Sequence, residues 1–143
     1  MICAGALVAA RVRVHDTDRG RVLRAHAYMD LQWVPEEPLE VRLSGCGQVT
    51  GDEVFARDLL AAALHDGSAG IGRVRFQLAV PAPHYVPKLL VTFDPGDPGS
   101  RVYALKPDPV QVFLRQTYDI IPAGEEHDYL PVSDTITALL RAA

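Results

Sequence analysis

Apolar residues at every second position limit this chain more than any other feature. Val8, Ala10, Val12 and Val14 alternate with Ala9, Arg11, Arg13 and His15, and Leu23, Ala25, Ala27, Met29, Leu31 and Trp33 alternate with Arg24, His26, Asp30 and Gln32. A period of two puts successive side chains on opposite faces of a pleated strand, so each stretch predicts a strand with one buried face. The turn formers Asp16-Thr17-Asp18-Arg19-Gly20 lie between them, which makes the two a long hairpin. Pro35 and Pro38 interrupt it, since proline cannot donate to a ladder. Leu39, Val41 and Leu43 then alternate with Glu40 and Arg42 as a third strand. The same period returns at Val74, Phe76, Leu78 and Val80, and two further strands are expected at residues 89–93 and Arg101–Leu105. The dense turn formers of Asp94-Pro95-Gly96-Asp97-Pro98-Gly99-Ser100 join these last two.

Between and after these runs the period lengthens. Thr50-Gly51-Asp52-Glu53 has the form of a capping box and predicts a helix starting there. Phe55, Leu59, Ala62 and Ala63 form its apolar stripe, Leu60 and Leu64 widen it, and Gly67 ends it. Asp108-Pro109 opens a second helix with Val110, Phe113, Leu114 and Thr117 on one side, and Ser133 caps a short third carrying Ile136, Leu139 and Leu140. The expected fold is α+β, in the order βββα-βββαα, with hairpin-length connections that favour antiparallel pairing. It reads as one domain over residues 1–143 and as a duplication of architecture without a residue repeat.

The remaining features bear on function mainly by exclusion. A composition 48% hydrophobic and 22% charged suits a compact globular chain. The net charge of -4, with twelve arginines and only Lys88 and Lys106 dispersed along the chain, argues against phosphate binding. Cys3 and Cys46 have no second cysteine or histidine at ligand spacing and read as reduced thiols. Residues 1–10 are apolar with no basic residue before them, which favours a strand over a signal peptide. No apolar run approaches the roughly 18 residues of a bilayer span, so no membrane insertion is expected.

His15, His26, His65, His84 and His127 lie on different elements with no paired spacing, so no metal is expected. Glu36-Glu37 and Glu125-Glu126 read as solvated acidic rims. Gly67-Ser68-Ala69-Gly70-Ile71-Gly72 follows a helix and leads into a strand, the reverse of a phosphate loop, and reads as a flexible connection. No catalytic constellation and no cofactor is implied, which leaves binding of other macromolecules. Trp33 ends the second strand, a place for a core residue or, if exposed, for a partner hot spot.

Two stretches carry a family resemblance. Val54-Phe55-Ala56-Arg57-Asp58-Leu59-Leu60, continuing to Leu64-His65 and through a glycine turn to Gly72-Arg73-Val74-Arg75, resembles the signature of the SsgA-like proteins of actinobacterial sporulation and cell division. Phe113-Leu114-Arg115, Thr117, Pro122, Gly124, Glu126 and His127 resemble the end of the family member SsgB at the same spacing. The resemblance implies a fold similar to the Whirly proteins, a trimer, no enzymatic activity, and a cytoplasmic scaffold that acts at the division septum. Its implied partners are other SsgA-like proteins or the tubulin-like FtsZ, which SsgB recruits. Three identical patches on a trimer would supply avidity without strong single contacts.

Within these stretches Phe55, Leu59, Leu60, Phe113 and Leu114 are expected in the core. Arg57 and Asp58 fall off the helix stripe and are expected at the surface, as a local ion pair or, with Trp33, as candidate partner contacts. The alternative is a Whirly-like domain for single-stranded nucleic acid, with Arg11, Arg13, Arg73 and Arg75 sharing a polar face.

Overall fold

The computed structural model describes residues 3–16, 20–46, 52–80, 83, 86–96 and 99–129. Strands β1 (Ala4–Asp16), β2 (Arg21–Trp33), β3 (Glu40–Cys46) and β4 (Asp52–Ala56) lead into helix α1 (Arg57–Asp66). Strands β5 (Ser68–Ile71), β6 (Val74–Ala79), β7 (Lys88–Phe93) and β8 (Arg101–Leu105) lead into helix α2 (Pro107–Ile120), and a short 3-10 turn follows at Glu126–Tyr129. The eight strands among the described residues belong to one antiparallel sheet in the order β4-β3-β2-β1-β8-β7-β6-β5. Each half is thus a four-strand meander followed by a helix, and the halves join where β1 pairs with β8.

The long hairpin is as its alternation predicts, with register running from Ala4 opposite Trp33 to Asp16 opposite Arg21. Two expectations need correction. Residues Asp52–Ala56 form strand β4 against β3, and α1 begins only at Arg57. Glu53 and Phe55 therefore face inward by strand alternation, and Phe55 is buried without belonging to the helix. Residues Ser68–Ile71 are likewise no flexible connection but strand β5, paired with β6. In both places cross-strand pairing overrides a weak local preference, the usual outcome for segments of four or five residues. Gly67 does end α1, in the left-handed conformation (φ 91°), donating its amide to Ala63 O at 2.9 Å. The expected third helix at Ser133 lies outside the described residues.

The sheet curls almost closed. In a flat sheet β4 and β6 would be six strand spacings apart, about 29 Å. Yet the Phe55 and Phe76 rings meet edge to face with centroids 5.0 Å apart. Helix α1 lies beside β4, β5 and β6, and α2 packs on β1, burying Val110, Phe113 and Leu114. Inside the curl, Met29, Leu31, Val41, Leu89, Val91 and Phe93 are at most 1% exposed.

Candidate functional site

The first helical residue of α1 lies where α1 and α2 meet, and its side chain turns inward rather than to solvent. Arg57 is 0% exposed, which corrects its expected surface position. Its amide donates to Leu39 O at 2.8 Å, tying the start of α1 to the chain entering β3. Its Nη1 donates to Thr117 O at 3.1 Å and Ile121 O at 2.8 Å, and its Nη2 donates to Glu126 Oε1 at 2.7 Å. Helix α2 has no basic residue in its last turn, so Arg57 provides from another helix the positive charge that carbonyl ends prefer.

Aromatic rings cover the guanidinium, with Tyr118 centred 4.1 Å and Trp33 5.4 Å from Arg57 Cζ. Trp33 is only 1% exposed, and its Nε1 donates to Pro38 O at 3.0 Å, so it is part of this packing and not an exposed hot spot. Glu126, read from sequence as a solvated rim, is 5% exposed and is Arg57's ion-pair partner. Burial pushes its carboxyl up, but the Arg57 hydrogen bond and charge, with the amides of Glu126 and Gly124, outweigh that and hold it below the usual carboxylate range. Asp58 is exposed and makes no ion pair with Arg57; it accepts a hydrogen bond from Tyr118 Oη at 2.9 Å. Burial, then that hydrogen bond and the Asp58 charge, push the Tyr118 hydroxyl well above its ordinary value.

A second charged cluster pins the curled sheet. Glu53 on β4 meets Arg101 on β8 and lies 3.6 Å from Arg73, and Arg73 Nε donates to Asp94 Oδ1 at 2.8 Å. The hydrogen bond from Arg73, with the charges of Arg73 and Arg101, overcomes partial desolvation and holds the Asp94 carboxyl below its usual range. Arg73 is therefore engaged and does not share an open polar face with Arg11 and Arg13. Beside this cluster the sheet edges bound a largely apolar groove of about 520 Å³, lined by Val54, Leu59, Ala62 and Ile71.

Leu60, Phe113 and Leu114 are buried, and Leu59 is partly so. Sequence reasoning missed the roles of Glu126, Tyr118, Glu53 and Arg101. The one available signal was the placement of Arg57 and Glu126 in the two motif stretches, whose residues meet in space. Among the described residues no cluster of three or more His, Cys, Asp or Glu could hold a metal ion, and no helix is long and apolar enough to cross a membrane. Cys3 is a free, exposed thiol; the side chains of Cys46, His15 and His84 lie outside the described residues.

The overall fold is similar to that of solved structures. One is the SsgA-like sporulation-specific cell division protein of Thermobifida fusca, which superposes with a TM-score of 0.73 at 22% identity over 96% of this chain and 95% of that one. Another is a Streptomyces coelicolor chain solved in work on SsgB mutations that correlate with longitudinal cell division during sporulation. Its TM-score is 0.70 at 22% identity, over 89% of this chain and 95% of that one.

Residues 28–126 match the family described as Streptomyces sporulation and cell division protein, SsgA, and the chain belongs to that family. The sporulation-specific cell division protein SsgB of Salinispora tropica is 31% identical over 77% of this chain and 77% of its own length. That of Saccharopolyspora erythraea is 37% identical over 61% of this chain, and the match spans only 58% of that relative's length.

Proposed function

We propose that this chain is a protein-interaction scaffold in cell division during sporulation, working by binding and not by catalysis. The observation that carries this reading is the family match across residues 28–126, supported by relatives named as sporulation-specific cell division proteins. The geometry accords with it, because the most deeply buried charges among the described residues, Arg57 and Glu126, are taken up in holding α1, α2 and the 3-10 turn together. The protein acts in the cytoplasm at the septum as a homotrimer, with the tubulin-like FtsZ or other SsgA-like proteins as its partners. Three copies of one patch let weak contacts add along a filament.

Light scattering of the purified chain, alone and with FtsZ from the same host, tests both parts. A trimer that increases the assembled mass of FtsZ supports the scaffold. A monomer with no effect on FtsZ refutes it.

A further inference from the structure

The outer face of the central strands carries a group of positive charges that no ion pair among the described residues neutralises. Register lays these charges out in rows. One row begins with Arg24 on β2 and Arg13 on β1, crosses Val102 on β8, and reaches Arg75 on β6. In the adjacent row Arg11 stands directly opposite His26, and Leu90 on β7 lies further along. All four arginines and His26 are exposed. Arg11, Arg13, Arg24 and His26 rim a shallow groove of about 550 Å³ floored by Leu90 and Val102.

Like charges directly opposite each other in a sheet destabilise it, and Arg13 opposite Arg24 is such a pair. Asp30, on the same face of β2, is four residues beyond His26, about 13 Å away at 3.3 Å per residue. It already accepts a hydrogen bond from Gln32 Nε2. The repulsion therefore stands until an anion arrives from outside the described structure.

We infer that this face docks an extended acidic segment of a partner protein, with carboxylates at both ends of a short apolar stretch. Arginine forks match carboxylates in bidentate fashion, and the aliphatic floor suits the stretch between them. Arg13 and Arg75 are separated by three strand spacings, about 14 Å, which roughly four extended residues span. A polynucleotide fits less well: the chain's net charge of -4 repels a long polyanion beyond the patch, and the groove floor offers aliphatic side chains where base stacking needs aromatics. The inference rests on the reading of this chain as a binding protein but not on FtsZ being the partner.

The test is fluorescence anisotropy with a labelled peptide carrying Glu-Asp on each side of Leu-Val-Leu, against the same peptide with lysines replacing the acids and against single-stranded oligothymidylate. The wild-type chain should bind the acidic peptide, more weakly as salt rises. Arg13→Glu with Arg24→Glu should weaken it by about ten-fold or more at an unchanged melting temperature, and Arg13→Lys should fall between. No binding of the acidic peptide, equal binding by the double variant, or tighter binding of oligothymidylate would each overturn the inference. So would a change in the mass of the unmixed protein in the double variant, which would make the face a contact between copies. The peptide assay contains no FtsZ, so its result and the co-assembly result fail independently.

Discussion

Replacing Arg57 by Met removes a charge but keeps an apolar stem of similar reach, so the consequence follows from the hydrogen bonds and the ion pair that the guanidinium makes. Thr117 O and Ile121 O lose a donor, and Glu126 is left as a carboxylate only 7% exposed at its side chain with no cation beside it. Removing one partner of a buried pair costs about 3–5 kcal/mol, most of it the penalty of the charge left behind. For 143 residues each kcal/mol moves the melting temperature by about 4 °C, so Arg57→Met should melt roughly 12–20 °C lower. Calorimetry and urea titration followed by circular dichroism both read this. If the penalty comes from the stranded carboxylate, adding Glu126→Gln to Arg57→Met should recover part of the loss, leaving a coupling of about 2 kcal/mol between the two sites. A melting curve for Arg57→Met within about 1 kcal/mol of wild type, or single losses that simply add, would refute this account of the charge.

Other outcomes follow from the same geometry. Because the folded state lowers the Glu126 carboxyl below its usual value of 4.5, its contribution is complete above that pH and is lost as pH falls through the lower folded value. The stability gap between wild type and Glu126→Gln should therefore shrink on acidification in urea titrations below pH 4.5, and a gap that widens would contradict the sign. Phe113→Ala, at a residue with 0% exposure, should cost about 3–5 kcal/mol by chemical denaturation, and a loss under about 1 kcal/mol would place that ring outside the core. Trp33 is the only tryptophan and lies beneath Arg57, so native emission should be blue-shifted and resist acrylamide; quenching as strong as in urea would mean that the ring is exposed. Asp94→Asn keeps a residue tolerant of the positive φ of 52° while removing the charge facing Arg73, and should lower the melting temperature in dilute buffer but hardly at high salt.

The division between sequence and tertiary structure follows the range of the interactions. Strands β1, β2, β3 and β6 are legible because a pleat writes its two faces into neighbouring residues, as Val8, Ala10 and Val12 do. The bend at Asp94, Pro95 and Gly96 and the end of α1 at Gly67 are equally local, since they depend on the backbone conformations that glycine, proline and aspartate permit. Asp52–Ala56 and Ser68–Ile71 are not legible in this way, because their conformation is set by β3 and β6, which supply the ladder bonds. The role of Arg57 was hidden for a stronger reason. Helical periodicity places it away from the apolar stripe of α1, and only the approach of residues sixty or more positions later, Thr117, Ile121 and Glu126, makes burial of its charge tolerable. Sequence alone determined the alternation, the turns and the family motifs. The curl of the sheet and the docking of α2 decided which charges are structural and which remain on the outer face, because a buried charge is stable only where distant partners converge on it.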